Sequence, residues 1–385
     1  MIQPALERSK TIKNLKFETP YFLISKKEIR NKLQEFKRYF PKSKVFYAMK
    51  ANSERGVLET VNRAGCGFEV ASLGELELLK KIKVPPKDII YGAAVKPAEA
   101  IKKFSKYGVN VFAFDSMSEL EKIAANAPRS KVYARMRVID AGSVFKFSEK
   151  FGADKEEISV LLVRAKELGL KPYGISFHVG SQAGNPRAWS QTLDVIGSVM
   201  TNLLKYDIKI EIIDIGGGYP CYYASSEEEL TLQEIAEHVH HAYEKLPYKP
   251  KLILEPGRGV IATSAILVAK IIAKVERSNG TWLFLDAGVY NALFETMAYQ
   301  GSTRYHVSSM RHSFNSGKKM YSVAGPIGDG PDVISREAHL PEDIEVGDKL
   351  IFHSVGAYSM SVVTSFNGFH KPAVHYVSSP VNCTL

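Results

Sequence analysis

Residues 44–50, KVFYAMK, open a series of short β-rich runs that recurs as GFEVAS (67–72), DIIYGAA (88–94), VNVFAFDS (109–116), KVYARMRV (131–138), GISFHVGS (174–181), IEIIDIGGG (210–218) and KLILEPGRG (251–259). Between them lie amphipathic stretches of helical period: ERGVLETVNRAG (54–65), LGELELLKKIK (73–83), KPAEAIKKFSKYG (96–108), SMSELEKIAANAP (116–128), EEISVLLVRAKELGL (156–170), RAWSQTLDVIGSVMTNLLKYD (187–207) and LTLQEIAEHVHHAYEKL (230–246). Strand runs alternating with helical runs build a parallel sheet. Eight such units predict an α/β fold of the (β/α)8 TIM-like barrel type, since an open doubly wound sheet rarely needs so many. The barrel is expected over residues 26–262.

After Ile261 the period changes to long alternating runs, SAILVAKIIAKVER (264–277) and TWLFLDAGVY (281–290). Ser278-Asn279-Gly280 separates them, an Asn-Gly turn of the kind hairpins prefer. Residues 263–385 are therefore expected to form a C-terminal all-β domain, with residues 1–25 joined to it. Within the N-terminal part, PYFLISK (20–26) reads as a strand that fits either domain.

With 385 residues, 45% hydrophobic and 24% charged, the chain can bury a large core. Cys66, Cys221 and Cys383 form neither an even secreted framework nor a metal or redox pair, which points to a reducing, cytoplasmic setting. No stretch has the apolar length of a membrane span, and the N-terminus lacks the apolar core of a signal peptide. The net charge of +10 is spread along helical faces such as EIRNKLQEFKRYF (28–40). A solvated surface explains it better than nucleic-acid binding does, and an anionic cofactor or small substrate also benefits. No membrane, nucleic-acid or metal role is expected.

Barrel enzymes work at the C-terminal ends of their strands. There the sequence places Lys50, Glu69, Arg137, His178, Ser181, Gly216, Gly217, Gly218, Glu255, Gly257 and Arg258. Singly, each has an ordinary structural reading: a solvated lysine, a core histidine, a sharp glycine turn. Together a cation, an imidazole, an anion-cradling glycine loop and a carboxylate-arginine pair converge on one rim. Successive glycines let backbone N–H groups approach a phosphate, and Arg258 can neutralise it.

The motifs FYAMKAN (46–52), GFEVASLGEL (67–76), SFHVGSQ (176–182), DIGGGYP (214–220), EPGRG (255–259), GPIGDGPD (325–332) and GAYS (356–359) resemble, in kind and order, the barrel-type (fold type III) pyridoxal-phosphate decarboxylases. That family comprises the ornithine, lysine, arginine and diaminopimelate decarboxylases. SFNGF (365–369) resembles its ornithine/lysine branch. The resemblance implies a β domain after the barrel and a homodimer with active sites shared head to tail. It implies that Lys50 carries pyridoxal 5′-phosphate as a Schiff base, that His178 stacks on the ring and that Glu255 pairs with the pyridine nitrogen. Gly216, Gly217, Gly218, Gly257, Arg258 and Ser181 would bind the phosphate, with Tyr358 reaching it from the β domain. Arg137 and Glu69 would support Lys50 and His178.

Asp329 matches the family's substrate-binding acid, donated from the second subunit, and Tyr290 the tyrosine lining the same pocket. In two places the chain departs from the family: Glu295 offers the only carboxylate in LFETMAYQ (293–300), and Gly328 stands where the family has cysteine. Glu69, too, replaces the usual aspartate. The implied reaction is decarboxylation of a basic L-amino acid, ornithine or lysine, to a diamine. The alternatives are decarboxylation of a more elaborate amino acid in siderophore or antibiotic assembly, and a catalytically silent regulator similar to the antizyme inhibitors.

Overall fold

Eight short strands close into a barrel: β1 (Lys44–Ala48), β2 (Gly67–Val70), β3 (Ile89–Tyr91), β4 (Val111–Phe114), β5 (Lys131–Arg135), β6 (Lys171–Ser176), β7 (Ile212–Asp214) and β8 (Lys251–Leu254). Every neighbouring pair is parallel, the strands follow one another in chain order, and β8 returns to pair with β1. The computed structural model describes residues 15–138, 143–145, 149–224, 230–298, 304–310, 317–379 and 381.

Helices occupy the predicted stretches, among them Leu73–Lys81, Met117–Asn126 and Leu232–Glu244. Their starts are set by side chains: Ser72, Ser116 and Thr231 each accept the backbone N–H three residues on, at Glu75, Glu119 and Glu234. Such caps satisfy amides that have no intrahelical partner, each contributing about 1 kcal/mol.

Inside the barrel, Phe46, Ile90, Ala113, Tyr133, Ile212 and Ile253 meet in one buried layer, each from a different strand. Covering side chains of this size contributes about 1.5–3 kcal/mol apiece for the larger ones. Side chains two residues apart on a strand share a face, so this layer fixes which later residues also point inward.

Between the loop after β3 and helix Met117–Asn126, the barrel unit buries an ion pair. Lys96 and Glu119 are 1% and 2% exposed, and Lys96 Nζ lies 2.9 Å from Glu119 Oε1. The same ammonium donates to the carbonyls of Ala93 and Ala113 at 2.9 and 2.5 Å. Lys122 binds the other Glu119 oxygen at 2.6 Å. Burial pulls the Lys96 ammonium down to about 8, opposed by the Glu119 carboxylate.

The chain divides into two compact units, one of Lys32–Pro220 with Glu228–Gly259, the other of Met1–Asn31, Cys221–Glu227 and Val260–Leu385. The second unit holds an eight-stranded mixed sheet. Its longest strand, Ala265–Arg277, turns at Ser278-Asn279 into Gly280–Leu285, as the Asn-Gly signal predicts. Tyr21–Ser25, from PYFLISK, joins this sheet, antiparallel to Ala265–Val268 and parallel to Ala373–Val377. Tyr21, Leu23, Ile266, Val268, Ile351 and Val381 form the core on that side. Among the described residues no helix is long and apolar enough to cross a membrane.

Candidate active site

Moving each strand of the buried layer two residues onward carries the inward face to Ala48, Gly92, Asp115, Arg135, Asp214 and Glu255, and the register of β2 and β6 sets Glu69 beside Ala48 and Ser176 beside Asp214. Apolar residues thus give way to a ring of acids around one guanidinium, at the end where barrel chemistry collects. Arg135 feels, in decreasing order, the carboxylates of Glu255, Asp115 and Glu69, all of which oppose the fall that burial imposes on its pKa.

This corrects the expectation for Arg137. β5 ends at Arg135, and the chain then pairs with residues 152–154 through a Met136–Ala153 bridge and the Arg137 N–H to Ala153 oxygen bond of 2.8 Å. Arg137 is thereby carried outward, exposed, to the Gly152 carbonyl at 3.4 Å and Asp154 at 3.5 Å. Arg135 takes the place expected of it.

Lys50 sits in the 3-10 turn Met49–Ala51 directly after β1. Its Nζ is 3.9 Å from Glu69 Oε2, and its side chain is 47% exposed. Glu69 is buried, and its extra methylene, relative to aspartate, has a place: a Cβ on Gly92 would come within 2.5–2.9 Å of the Glu69 side chain. Glu75, at the start of the next helix, accepts the Ala71 N–H at 2.6 Å. Burial raises its carboxyl to about 7; sequence reading passed over it as a helix residue.

At the end of β6, His178 Nδ1 accepts the Gly180 N–H at 3.0 Å. Burial, then the nearby Lys50 and Arg135 cations, hold the imidazole well below its usual pKa. A neutral ring whose Nδ1 is an acceptor carries its proton on Nε2. Ser181 Oγ accepts from Arg258 Nε at 3.2 Å in a buried contact, and Gly257 packs so close that a Cβ would lie 3.0 Å from that of Ala51.

The glycine triplet divides its labour, contrary to the expectation that all three donate to phosphate. The Gly216 N–H goes to Asp214 Oδ1 at 2.9 Å, so Gly216 shapes the turn instead. Its φ is +66°, and a Cβ there would lie 2.2 Å from the Phe177 carbonyl. The N–H groups of Gly217 and Gly218 have no partner among the described residues, which leaves them for an anion.

In the second unit, Tyr290 O–H donates to the Asp329 carboxylate, and the Phe366 ring lies 5.1 Å from the Tyr290 ring. Asp329 is exposed, as is Gly328, where a Cβ would meet nothing within 4 Å. The loop carrying both is pinned by buried Asp332, which accepts the N–H groups of Val289 and Ile327 at 2.7 and 2.9 Å. Glu295 is placed differently from Asp329, 3% exposed within the turn Phe294–Thr296. Tyr358 is partly buried with a φ of +51°. Cys66 and Cys221 form no disulfide, and Cys383 lies outside the described residues.

An amine beside a carboxylate, a neutral imidazole face, unpartnered amides in a glycine turn and a buried acid suit a phosphorylated heteroaromatic cofactor, gripped by its phosphate at one end and its ring nitrogen at the other. The chain belongs to the pyridoxal-dependent decarboxylases: the model of that family's pyridoxal-binding domain matches residues 26–262. The lysine/ornithine decarboxylase of Selenomonas ruminantium is 32% identical over 96% of this chain and 93% of its own length. Antizyme inhibitor 2 of Xenopus laevis is 31% identical over 92% of this chain and 80% of its own. The lysine/ornithine decarboxylase of Vibrio vulnificus, solved with putrescine, superposes with a TM-score of 0.86 at 28% identity, covering 97% of each chain.

Proposed function

We propose that the chain decarboxylates a basic L-amino acid, ornithine or lysine, to the corresponding diamine, as a homodimer in a reducing, cytoplasmic compartment. The observation that carries the substrate class is Asp329: an exposed carboxylate, oriented by Tyr290 on a loop pinned by Asp332, is free to meet a distal ammonium. The decarboxylase relatives act on such substrates by name. Lys50 would anchor the cofactor, His178 would face its ring, Glu255 would receive its ring nitrogen, and Gly217, Gly218, Ser181 and Arg258 would hold the phosphate, to which Tyr358 is also assigned. When bound, pyridoxal phosphate supplies an electron sink for the pair left by departing carbon dioxide. Lys50 Nζ would be the group that supplies the proton to the substrate carbon. The test is a panel of amino acids assayed for carbon dioxide release, with the amine identified by mass; equal turnover of neutral amino acids defeats the assignment.

Asp329→Ala is expected to raise KM for ornithine and lysine about 10- to 100-fold, as loss of a charge-assisted hydrogen bond of about 1.5–3 kcal/mol implies. Cofactor affinity, measured by titration, should barely change. Mixing inactive Lys50→Ala chains with Asp329→Ala chains, assayed at substrate well below the raised KM, should restore part of the activity, because one site in the mixed dimer keeps both residues. Demonstrated subunit exchange without recovery would show that each chain builds its own site.

The open space at Gly328 favours a second reading, a bulkier amino acid in place of ornithine, which the same panel separates. A silent regulator, like the antizyme inhibitor relative, has less support, since Lys50, His178, Glu255 and the cradle are all in place.

A further inference from the structure

β7 and β8 run side by side, pairing Ile212 with Lys251, Ile213 with Leu252 and Asp214 with Ile253. Ile212 and Ile253 lie in the inward layer, so Asp214 and Glu255, each two residues further on, project into the barrel next to one another. Gly216 ties them together: its N–H donates to Asp214 Oδ1 at 2.9 Å, and its carbonyl accepts the Glu255 N–H at 2.9 Å. With Oδ1 taken, Asp214 has only Oδ2 to offer Glu255. Asp214 Oδ2 and Glu255 Oε1 are both fully covered and both lack a donor from the described residues.

Two ionised carboxylates in that position repel, because both are acceptors only, whereas one proton between them makes a strong O–H···O bond. We propose that Asp214 is a positioning residue for Glu255: the two share a single proton, held between Asp214 Oδ2 and Glu255 Oε1, which leaves the second Glu255 oxygen as the acceptor that meets the cofactor's ring nitrogen. The role given to Glu255 rests on the proposed function; the role of Asp214 is additional to it.

The surroundings agree. Asp214 is 0% exposed, and burial raises it to about 7, with Glu69 adding to the rise while Glu255, Gly216 and Arg135 oppose it. Burial and then Asp214 push Glu255 upward as well, with Glu69 adding and Lys50 opposing. The other titratable groups facing the pair are Tyr133 and Tyr219, whose hydroxyls the two carboxyls drive above their ordinary range, after burial itself. Neither tyrosine can therefore take up the negative charge, and the nearby His178 is neutral, so the extra proton stays with the carboxyl pair.

The test uses the full-length protein with and without pyridoxal phosphate. Without it, the Asp214–Glu255 pair holds one more proton in the folded chain than in the unfolded chain between about pH 4, where free carboxyls ionise, and about 7; Glu75, also raised to about 7, holds a further one. Stability therefore falls as pH rises through this window, the unfolding constant growing by up to tenfold per unit for each proton. Asp214→Asn should lose the pair's share of that slope and keep the share of Glu75. Its Oδ1 keeps the Gly216 N–H and its amide donates to Glu255 with no proton to release.

Near pH 6 the infrared carbonyl band of the shared proton, distinguished from that of Glu75 by the Glu75→Gln variant, should vanish in Asp214→Asn and in Glu255→Gln alike. Persistence of the band in either variant means the proton belongs to one residue, and the proposal fails. Pyridoxal phosphate should bind Asp214→Asn within about threefold of the unmodified protein and Asp214→Leu at least about tenfold more weakly. If Asp214→Leu binds normally while Glu255→Ala does not, Asp214 does not position Glu255. If Glu255→Ala also binds normally, the cofactor role of Glu255 is what has failed.

Discussion

Lys50→Ala is expected to lower the rate of carbon dioxide release by at least about a thousandfold, the scale of losing a residue that forms a covalent intermediate. Lys50 stands at the end of β1, 3.9 Å from Glu69 Oε2, and among the described residues no lysine belongs to the ring of groups that closes the barrel interior. Added methylamine should recover part of the rate, since a small amine can do in solution what the tethered one does in place. Borohydride reduction of the unmodified protein should fix pyridoxal phosphate to Lys50, located by peptide mass. A label on another lysine, or substantial turnover by Lys50→Ala without added amine, contradicts the assignment.

Lys96→Met is expected to be the most damaging single change to stability, costing about 3–5 kcal/mol, because it strands the buried Glu119 carboxylate. Lys122 remains 2.6 Å from one Glu119 oxygen, which favours the lower end of that range. The double change Lys96→Met with Glu119→Gln removes the charge as well as its partner and should recover at least half of the loss. Urea denaturation measures both. A double variant no more stable than the single would mean that Lys96 acts through its bonds to the Ala93 and Ala113 carbonyls and not through Glu119.

The barrel could be read from sequence because its period is regular: each strand run but the last is short, largely apolar and followed by an amphipathic helical stretch. The same regularity misplaced the guanidinium. KVYARMRV continues to alternate as far as Val138, but its hydrogen bonding to β6 ends with the Met136 N–H to the Ser176 oxygen, and the bridge to Ala153 decides which arginine faces in. Alternation alone cannot mark where a strand stops pairing. Asp214 was equally visible, two residues after Ile212, yet the adjacent glycines drew attention to the turn. That Gly216 serves Asp214 and not an anion is a matter of hydrogen-bond direction, which sequence does not carry. In the second unit the Asn-Gly turn was legible. The partners of Tyr21–Ser25 were not, because they come from segments more than two hundred residues away.

Glu69 and Gly92 restrict the order in which this rim could be assembled. A side chain at position 92 and a glutamate at position 69 compete for the same space. A rim with aspartate at 69 and alanine at 92 therefore reaches the present arrangement more easily in one order: the alanine goes first, leaving a small gap, and the longer acid then fills it. The reverse order passes through a clash beside Lys50. Once glutamate is installed, a side chain at 92 has to displace it, so the two positions constrain each other although one lies on β2 and the other just beyond β3.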